Sequence, residues 1–357
     1  MGGRHILVTG GAGFIGSCFV RRTLSADPAA RVTVLDKLTY AGNRANLQEI
    51  DDDPRRRERL RVVVGDITDL TLMRSLVSEC DAIVNFAAET HVDRSILDPT
   101  AFLATNVGGV HTLLEACRAE HQRAERRERD ATPRFLQVST DEVYGSVQSG
   151  QSVEGDRLAP RSPYAAAKAA GELLAFSYAI TFGLDVVVTR GANTYGPYQY
   201  PEKLIPLFVT NAIDDKPLPL YGDGLQRRDW LYVDDHADAI AHVLAHGISG
   251  SAYNVPGAHE TTNREVVTNL LERLDKPWTL VRSVADRPGH DRRYAMSGER
   301  LRALGWQHRF PFADGITRTI DWYVANEGWW RAVRSGEWND YYSRQYADRL
   351  ATSTAAE

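Results

Sequence analysis

Short apolar runs alternate with longer stretches of helical spacing through the first half of this 357-residue chain. Segments 6–9, 32–36, 60–64, 82–86, 135–139 and 184–190 are mostly Val, Ile, Leu and Phe, which predicts buried strands. Segments 14–24, 72–80, 100–119 and 164–182 carry helical patterns. Strands alternating with helices build βαβ units, so the expected fold class is α/β, a parallel sheet with helices on both faces. Right-handed crossovers then bring the strand C-terminal ends to one edge, where such sheets bind ligands.

After Arg190 the pattern loosens and Pro, Tyr and Trp become frequent. Turn chemistry in Asn193-Thr194-Tyr195-Gly196-Pro197, Tyr221-Gly222-Asp223-Gly224 and Asp286-Arg287-Pro288-Gly289-His290 suits a smaller lobe that closes over a substrate. Segments 230–233 and 252–255 read as strands that rejoin the first sheet. The expected division is a first domain over 1–190 with a returning segment near 228–260, and a second lobe over 191–340. A tail follows at 341–357, frayed over 351–357.

Composition narrows the partners. With 43% hydrophobic residues the chain buries a full core, and its formal net charge of −5 gives no attraction for nucleic acid or an anionic membrane. The mixed charges of 123–130 read as solvated surface. Cys18, Cys80 and Cys117 have no CxxC spacing and read as small buried groups in a reducing compartment. No Cys/His cluster has ligand spacing, so no metal is expected. The chain enters its first strand almost at once and has no apolar run of membrane-spanning length. A soluble cytoplasmic protein is expected.

The run Thr9-Gly10-Gly11-Ala12-Gly13-Phe14-Ile15-Gly16 follows a strand and opens a helix. It satisfies G-x-G-x-x-G, a tight turn whose backbone approaches a pyrophosphate at a helix N-terminus. Asp36 ends the next strand about 20 residues on, where an acid accepts from an adenosine ribose hydroxyl and repels a 2′-phosphate. The order strand, glycine loop, helix and acid makes the first domain Rossmann-type and favours NAD over NADP. Asp66 could bond the adenine, and the small Ala87 and Ala88 let a cofactor approach; each is also ordinary loop chemistry when taken alone.

Tyr164 and Lys168 stand at helical i,i+4 spacing on one face, where an ammonium stabilises a phenolate and makes Tyr a base. Ahead of them, Ser139-Thr140-Asp141-Glu142 closes an apolar strand with two adjacent carboxyl groups. Neighbours in a strand point to opposite faces, so Asp141 and Glu142 must lie in a turn to act together. A second acid and a second base beside Tyr164 suggest an oxidation coupled to an elimination. The plainer reading of the pair is an acid cluster at a helix N-terminus.

With these residues, the chain resembles the extended short-chain dehydrogenase/reductase family, and within it the nucleotide-sugar 4,6-dehydratases, from about Ile6 to Trp322. Further matching pieces are Asp36–Asn43, Glu89-Thr90-His91-Val92-Asp93-Arg94-Ser95, Pro201-Glu202-Lys203-Leu204-Ile205-Pro206 and Arg228-Asp229-Trp230. The resemblance implies NAD held by Gly10, Gly13, Phe14, Ile15, Gly16, Asp36, Lys37, Leu38 and Thr39. Asp66, Ile67, Ala87, Ala88, Thr105, Tyr164 and Lys168 complete that set. It implies Thr90, Asn193, Lys203, Leu204, Pro219, Tyr221 and Asn263 as substrate contacts, with His290 and Tyr294, and Arg228 and Arg287 on the diphosphate. Asp229-Trp230 is expected to hold the fold.

The activity implied is redox-neutral. Tyr164, helped by Lys168, takes the sugar 4-hydroxyl proton, and Thr140 orients the 4-oxygen. Glu142 removes the C5 hydrogen while Asp141 protonates the departing C6 hydroxyl. A nucleotide sugar is the implied substrate, dTDP-glucose foremost, and helices near 100–119 and 164–179 imply a homodimer. Thr194 departs from the second Asn often found there, and Leu225-Gln226-Arg227 from the usual Lys-Asn-Val. Rivals stand beside this reading: a UDP-sugar epimerase, for which Asp141 and Glu142 would be idle, a nucleotide-sugar decarboxylase or a UDP-glucose 4,6-dehydratase on the same scaffold, and a silent NAD-binding sensor.

Overall fold

A computed structural model describes residues 3–286, 289–334 and 337–355. Seven parallel strands form the main sheet: β1 (His5–Thr9), β2 (Arg31–Asp36), β3 (Leu60–Val64), β4 (Ala82–Asn85), β5 (Arg134–Thr140), β6 (Val186–Gly191) and, later, Ser251–Val255. Their order, with the returning strand at one edge, is Ser251–Val255, β6, β5, β4, β1, β2, β3. Chain direction reverses its march at β1, so β1 and β4 flank the crevice where a doubly wound sheet receives a dinucleotide.

Burial on both faces explains why these strands read as continuous apolar runs. Leu7, Val8, Val34, Ile83, Val84, Leu136, Val187 and Val188 are all inaccessible to solvent. One layer packs Val8, Val34, Val84 and Leu136 on Phe19, Ile240 and Val243. The opposite layer packs Leu7, Leu35, Ile83 and Phe135 on Met73, Leu113 and Ala175.

The remaining strands are β7 (Asn193–Tyr195), β8 (Leu218–Tyr221), β9 (Arg227–Tyr232), β10 (Ser251–Val255), β11 (His259–Thr262), β12 (Val281–Val284) and β13 (Thr354–Ala355). Of the two segments expected to rejoin the first sheet, β10 pairs parallel with β6. Segment 230–233 does not rejoin it. β9 instead pairs with β7 and β11 in a three-stranded sheet, and Val233 starts a helix. Its partners, not its own apolar content, decide which sheet takes it.

The expected tail is also different. Glu337–Ala351 is a helix with Trp338, Tyr341 and Tyr346 buried, and Thr354–Ala355 pairs antiparallel with β12. Aromatic side chains at helical spacing dock it on the second lobe beside Leu218, Val281 and Trp330. Within 123–130, Arg129 is structural: it donates to Ser78 O at 2.9 Å and to Cys80 O, and pairs with Glu120 at 3.0 Å.

The helix Pro163–Phe182 carries Tyr164 and Lys168. Ser162 caps it by accepting from Ala165 N, and Pro163 occupies its first position. Glu172 on this helix meets Arg190 of β6 at 2.7 Å, both nearly inaccessible. Arg190 also donates to Tyr144 Oη at 2.5 Å, and Tyr144 Oη donates to Asn254 Oδ1 of β10 at 2.7 Å. Arg190→Met strands the Glu172 carboxylate and should cost about 3–5 kcal/mol, whereas Arg190→Met with Glu172→Leu should regain most of it. Urea unfolding of both variants checks this, and equal losses would refute the pairing as the cause.

Candidate active site

A cavity of about 420 Å³ runs along the C-terminal edge of the main sheet and into the second lobe. Its first part is the glycine turn. Gly10 sits at φ 67, and a Cβ there would lie 2.6 Å from Ala87 N; a Cβ on Gly16 would lie 2.3 Å from Gly10 O. Only glycine permits this approach of backbone to backbone. Gly13 caps the helix Phe14–Ala26 without a side-chain hydrogen bond, which leaves the helix N-terminus to an anion.

Asp36 accepts from Ala12 N and Leu38 N, each at 2.9 Å. Burial raises its pKa against those two bonds. Lys37 pairs with Asp66 at 2.7 Å, and Asp66 accepts from Thr68 N. Although burial opposes it, these donors hold the Asp66 carboxyl below its ordinary value. Thr39, Ile67, Ala87, Ala88 and Thr105 line the same stretch, with Phe14 and Ile15. Leu38 does not line the cavity: its backbone turns back to Asp36 at φ 55.

The chemistry-bearing groups meet at the ends of β5 and β6. Thr140 closes β5 and accepts from Glu142 N at 3.3 Å, which starts a single 3₁₀ turn, Asp141–Tyr144. The turn breaks strand alternation, so Asp141 and Glu142 both line the cavity with Tyr164 and Lys168. Thr140 Oγ1 also donates to Asp141 Oδ1 at 3.1 Å, while Asp141 Oδ2 has no hydrogen-bond partner.

Burial sets the protonation states. It drives the Asp141 carboxyl far above the carboxylate range, the Glu142 charge adds to this, and Thr140 and Arg228 oppose it. Burial thus favours the protonated form of Asp141, the form that a general acid needs. Burial, then Glu142 and Asp141, also raise the Tyr164 phenol, against hydrogen bonds from Thr140 and Thr90. Lys168 donates to Val138 O at 2.6 Å, and burial lowers its pKa to about 8 in spite of Glu172.

The second lobe supplies Asn193, Lys203, Leu204, Pro219, Tyr221, Arg228, Asn263 and His290 to the lining. Asn193 Oδ1 is buried without a partner. Arg228 donates to Arg227 O and Asp291 O, both at 2.8 Å, and stacks over Tyr294 at 4.4 Å. Tyr294 does not reach the cavity; its hydroxyl donates to Asp291 Oδ2 at 2.7 Å, so it supports Arg228 from behind. Arg287 lies outside the described residues. Trp230, expected to serve the fold alone, lines the cavity with an unpartnered indole N–H.

Sequence reasoning missed other lining residues, including His91, Asp93, Gln199, Glu202, His236 and Tyr346. Several stand inside motifs already quoted. Tyr346 had a signal too: Trp338, Tyr342 and Tyr346 repeat at four-residue spacing on one helix face. Among the described residues no His, Cys, Asp and Glu group could hold a metal ion, and no helix is long and apolar enough to cross a membrane.

Residues 7–319 match the model of the GDP-mannose 4,6 dehydratase family. A dTDP-glucose 4,6-dehydratase of Streptomyces niveus is 50% identical over 336 residues, 93% of this chain and 96% of that protein. The dTDP-glucose 4,6-dehydratase 1 of Escherichia coli (strain K12) is 43% identical, covering 96% of this chain and 99% of that protein. Among solved structures, dTDP-glucose 4,6-dehydratase of Streptomyces venezuelae with NAD and dTDP bound superposes with TM-score 0.86 at 52% identity, covering 92% and 99%. UDP-glucose 4-epimerase of Thermus thermophilus with NAD superposes with TM-score 0.79 at 32% identity, covering 90% and 99%.

The site's electrostatics generate one test. The chain has five lysines, and one of them should titrate near pH 8 in the folded protein. Because the folded amine loses its proton before the unfolded one, stability contributed by this group rises with pH between about 8 and the ordinary lysine value of 10.5. NMR titration of ¹³Cε-labelled lysines should show one such signal, lost in Lys168→Met. A spectrum with no lysine signal titrating near pH 8 would overturn the assignment.

Proposed function

This chain belongs to the GDP-mannose 4,6 dehydratase family and to its nucleotide-sugar 4,6-dehydratases, and we propose that it converts dTDP-glucose to dTDP-4-keto-6-deoxy-glucose and water. The observation that carries this reading is the placement of two adjacent carboxyl side chains, the buried Asp141 and the half-buried Glu142, in the cavity of Tyr164 and Lys168. Epimerisation at C4 has no use for that pair.

NAD is the cofactor. When bound, it would supply the hydride acceptor for the sugar C4 and, once reduced, the hydride donor for C6, while Glu142 would give back to C5 the proton it removed. The glycine turn, the uncapped helix N-terminus and Asp36 fit its diphosphate and adenosine ribose.

As a phenolate, the form that the Lys168 ammonium and the positive nicotinamide of bound NAD would favour against the burial that raises its pKa, Tyr164 withdraws the 4-hydroxyl proton, and Thr140 orients the 4-oxygen. The resulting ketone acidifies the C5 hydrogen, which Glu142 removes. Asp141 delivers its proton to the C6 hydroxyl, so that water departs as the C5–C6 double bond forms. One group cannot accept and donate a proton at once, which is why the step needs two carboxyl residues. Arg228 and Lys203 hold the nucleotide diphosphate, the former in a fixed fork braced by Tyr294.

The assembled protein is a homodimer, supported by exposed apolar side chains on and beside the Tyr164 helix. Leu173 is 57% exposed and Ile180 86%, seven residues apart on one face, with Leu97 and Leu103 open nearby. The three free, buried cysteines suit a reducing cytoplasm.

Incubation with dTDP-glucose should yield a product lighter by one water, as read by mass spectrometry; unchanged mass with inverted C4 would refute dehydration. Asp141→Asn should slow water loss about 10²–10⁴-fold while reduced cofactor accumulates in the near-ultraviolet, whereas Tyr164→Phe should suppress oxidation by a similar factor without that signal. For the assembly, Leu173→Asp with Ile180→Asp should sediment as a monomer where the parent chain sediments as a dimer.

A further inference from the structure

At the β6 end of the cavity stands a residue with no part in the chemistry above. His236 lies in the first turn of the helix Val233–His246, is 2% exposed and lines the cavity. Its ring rests against Gly191, the last residue of β6. A Cβ at position 191 would stand 2.5 Å from both Cε1 and Nε2, so only glycine leaves room for the imidazole.

The tautomer follows from Thr194. Its Oγ1 lies 2.8 Å from His236 Nδ1 and donates to Ala192 O at 3.1 Å. A hydroxyl has one proton to give; with that proton on the Ala192 carbonyl, Nδ1 carries the imidazole proton and Nε2 presents a lone pair. Burial depresses the ring's pKa to about 3, which keeps it neutral. Nε2 is buried and has no hydrogen-bond partner. A desolvated acceptor without a donor is costly, and such atoms in folded proteins call for an explanation.

Strand order identifies the missing donor. Asp36 ends β2, the glycine turn follows β1, and Tyr164 and Lys168 stand by β5. A dinucleotide whose adenosine lies at Asp36 brings its pyridine half to β5 and β6. On that half the nitrogen-borne donor is the carboxamide.

We propose that His236 Nε2 accepts a hydrogen bond from the carboxamide N–H of bound NAD, so that Thr194 acts on the cofactor through the imidazole. This rests on NAD as the cofactor. It also accounts for Thr194 where the family often has Asn: the shorter side chain spends its hydroxyl on orienting His236.

The test compares NAD with its 3-acetylpyridine analogue, in which a methyl group replaces the carboxamide nitrogen. Full-length protein depleted of dinucleotide is titrated calorimetrically with each. The parent chain should bind the analogue about five- to tenfold more weakly. His236→Leu should erase that gap, and His236→Gln, which keeps an acceptor and the volume, should restore part of it. Equal affinities in the parent chain, which needs no variant to fold, would overturn the role of His236, as would a full gap in His236→Leu. Binding of neither dinucleotide by the parent chain would instead overturn NAD itself.

Discussion

The whole arrangement hangs on one buried ion pair. Arg190 leaves β6 and meets Glu172 on the helix that carries Tyr164 and Lys168, and neither partner has water to fall back on. Such a pair adds little net stability over a hydrophobic substitute, but it tolerates only one geometry. Through Tyr144 and Asn254 the same guanidinium reaches the turn after β5 and the edge strand β10. Four elements that are distant in sequence are thereby held in register at the point where a proton must move.

Dryness does the rest. The same burial that lowers the Lys168 ammonium raises the Asp141 carboxyl and the Tyr164 phenol. In the proposed reaction, acid and base are separated by environment and not by residue type, since Asp141 and Glu142 are chemical siblings in adjacent positions. What makes them different is the 3₁₀ turn after Thr140, which buries one and leaves the other half-open.

Much of this was legible in the chain. Buried parallel strands announce themselves as unbroken apolar runs, so β1 to β6 were located to within about two residues. The glycine turn and Asp36 were legible because backbone proximity to a ligand demands glycine at fixed intervals. Other features are not written locally. Whether β9 joins the first sheet depends on β7 and β11 as partners, and Tyr294 serves Arg228 because Asp291 captures its hydroxyl. The terminal helix escaped because polar residues outnumber its aromatic stripe. The liaison of Thr194, His236 and Gly191 joins three segments whose proximity only the folded chain provides.

The strand β10 has a further meaning. The chain leaves the main sheet after β6, builds part of the second lobe, comes back for Ser251–Val255 and departs again. The two lobes are thus interlaced, and no single cut can free one from the other. Exchanging the second lobe for that of another protein on this scaffold therefore needs matched junctions on both sides of that stitch.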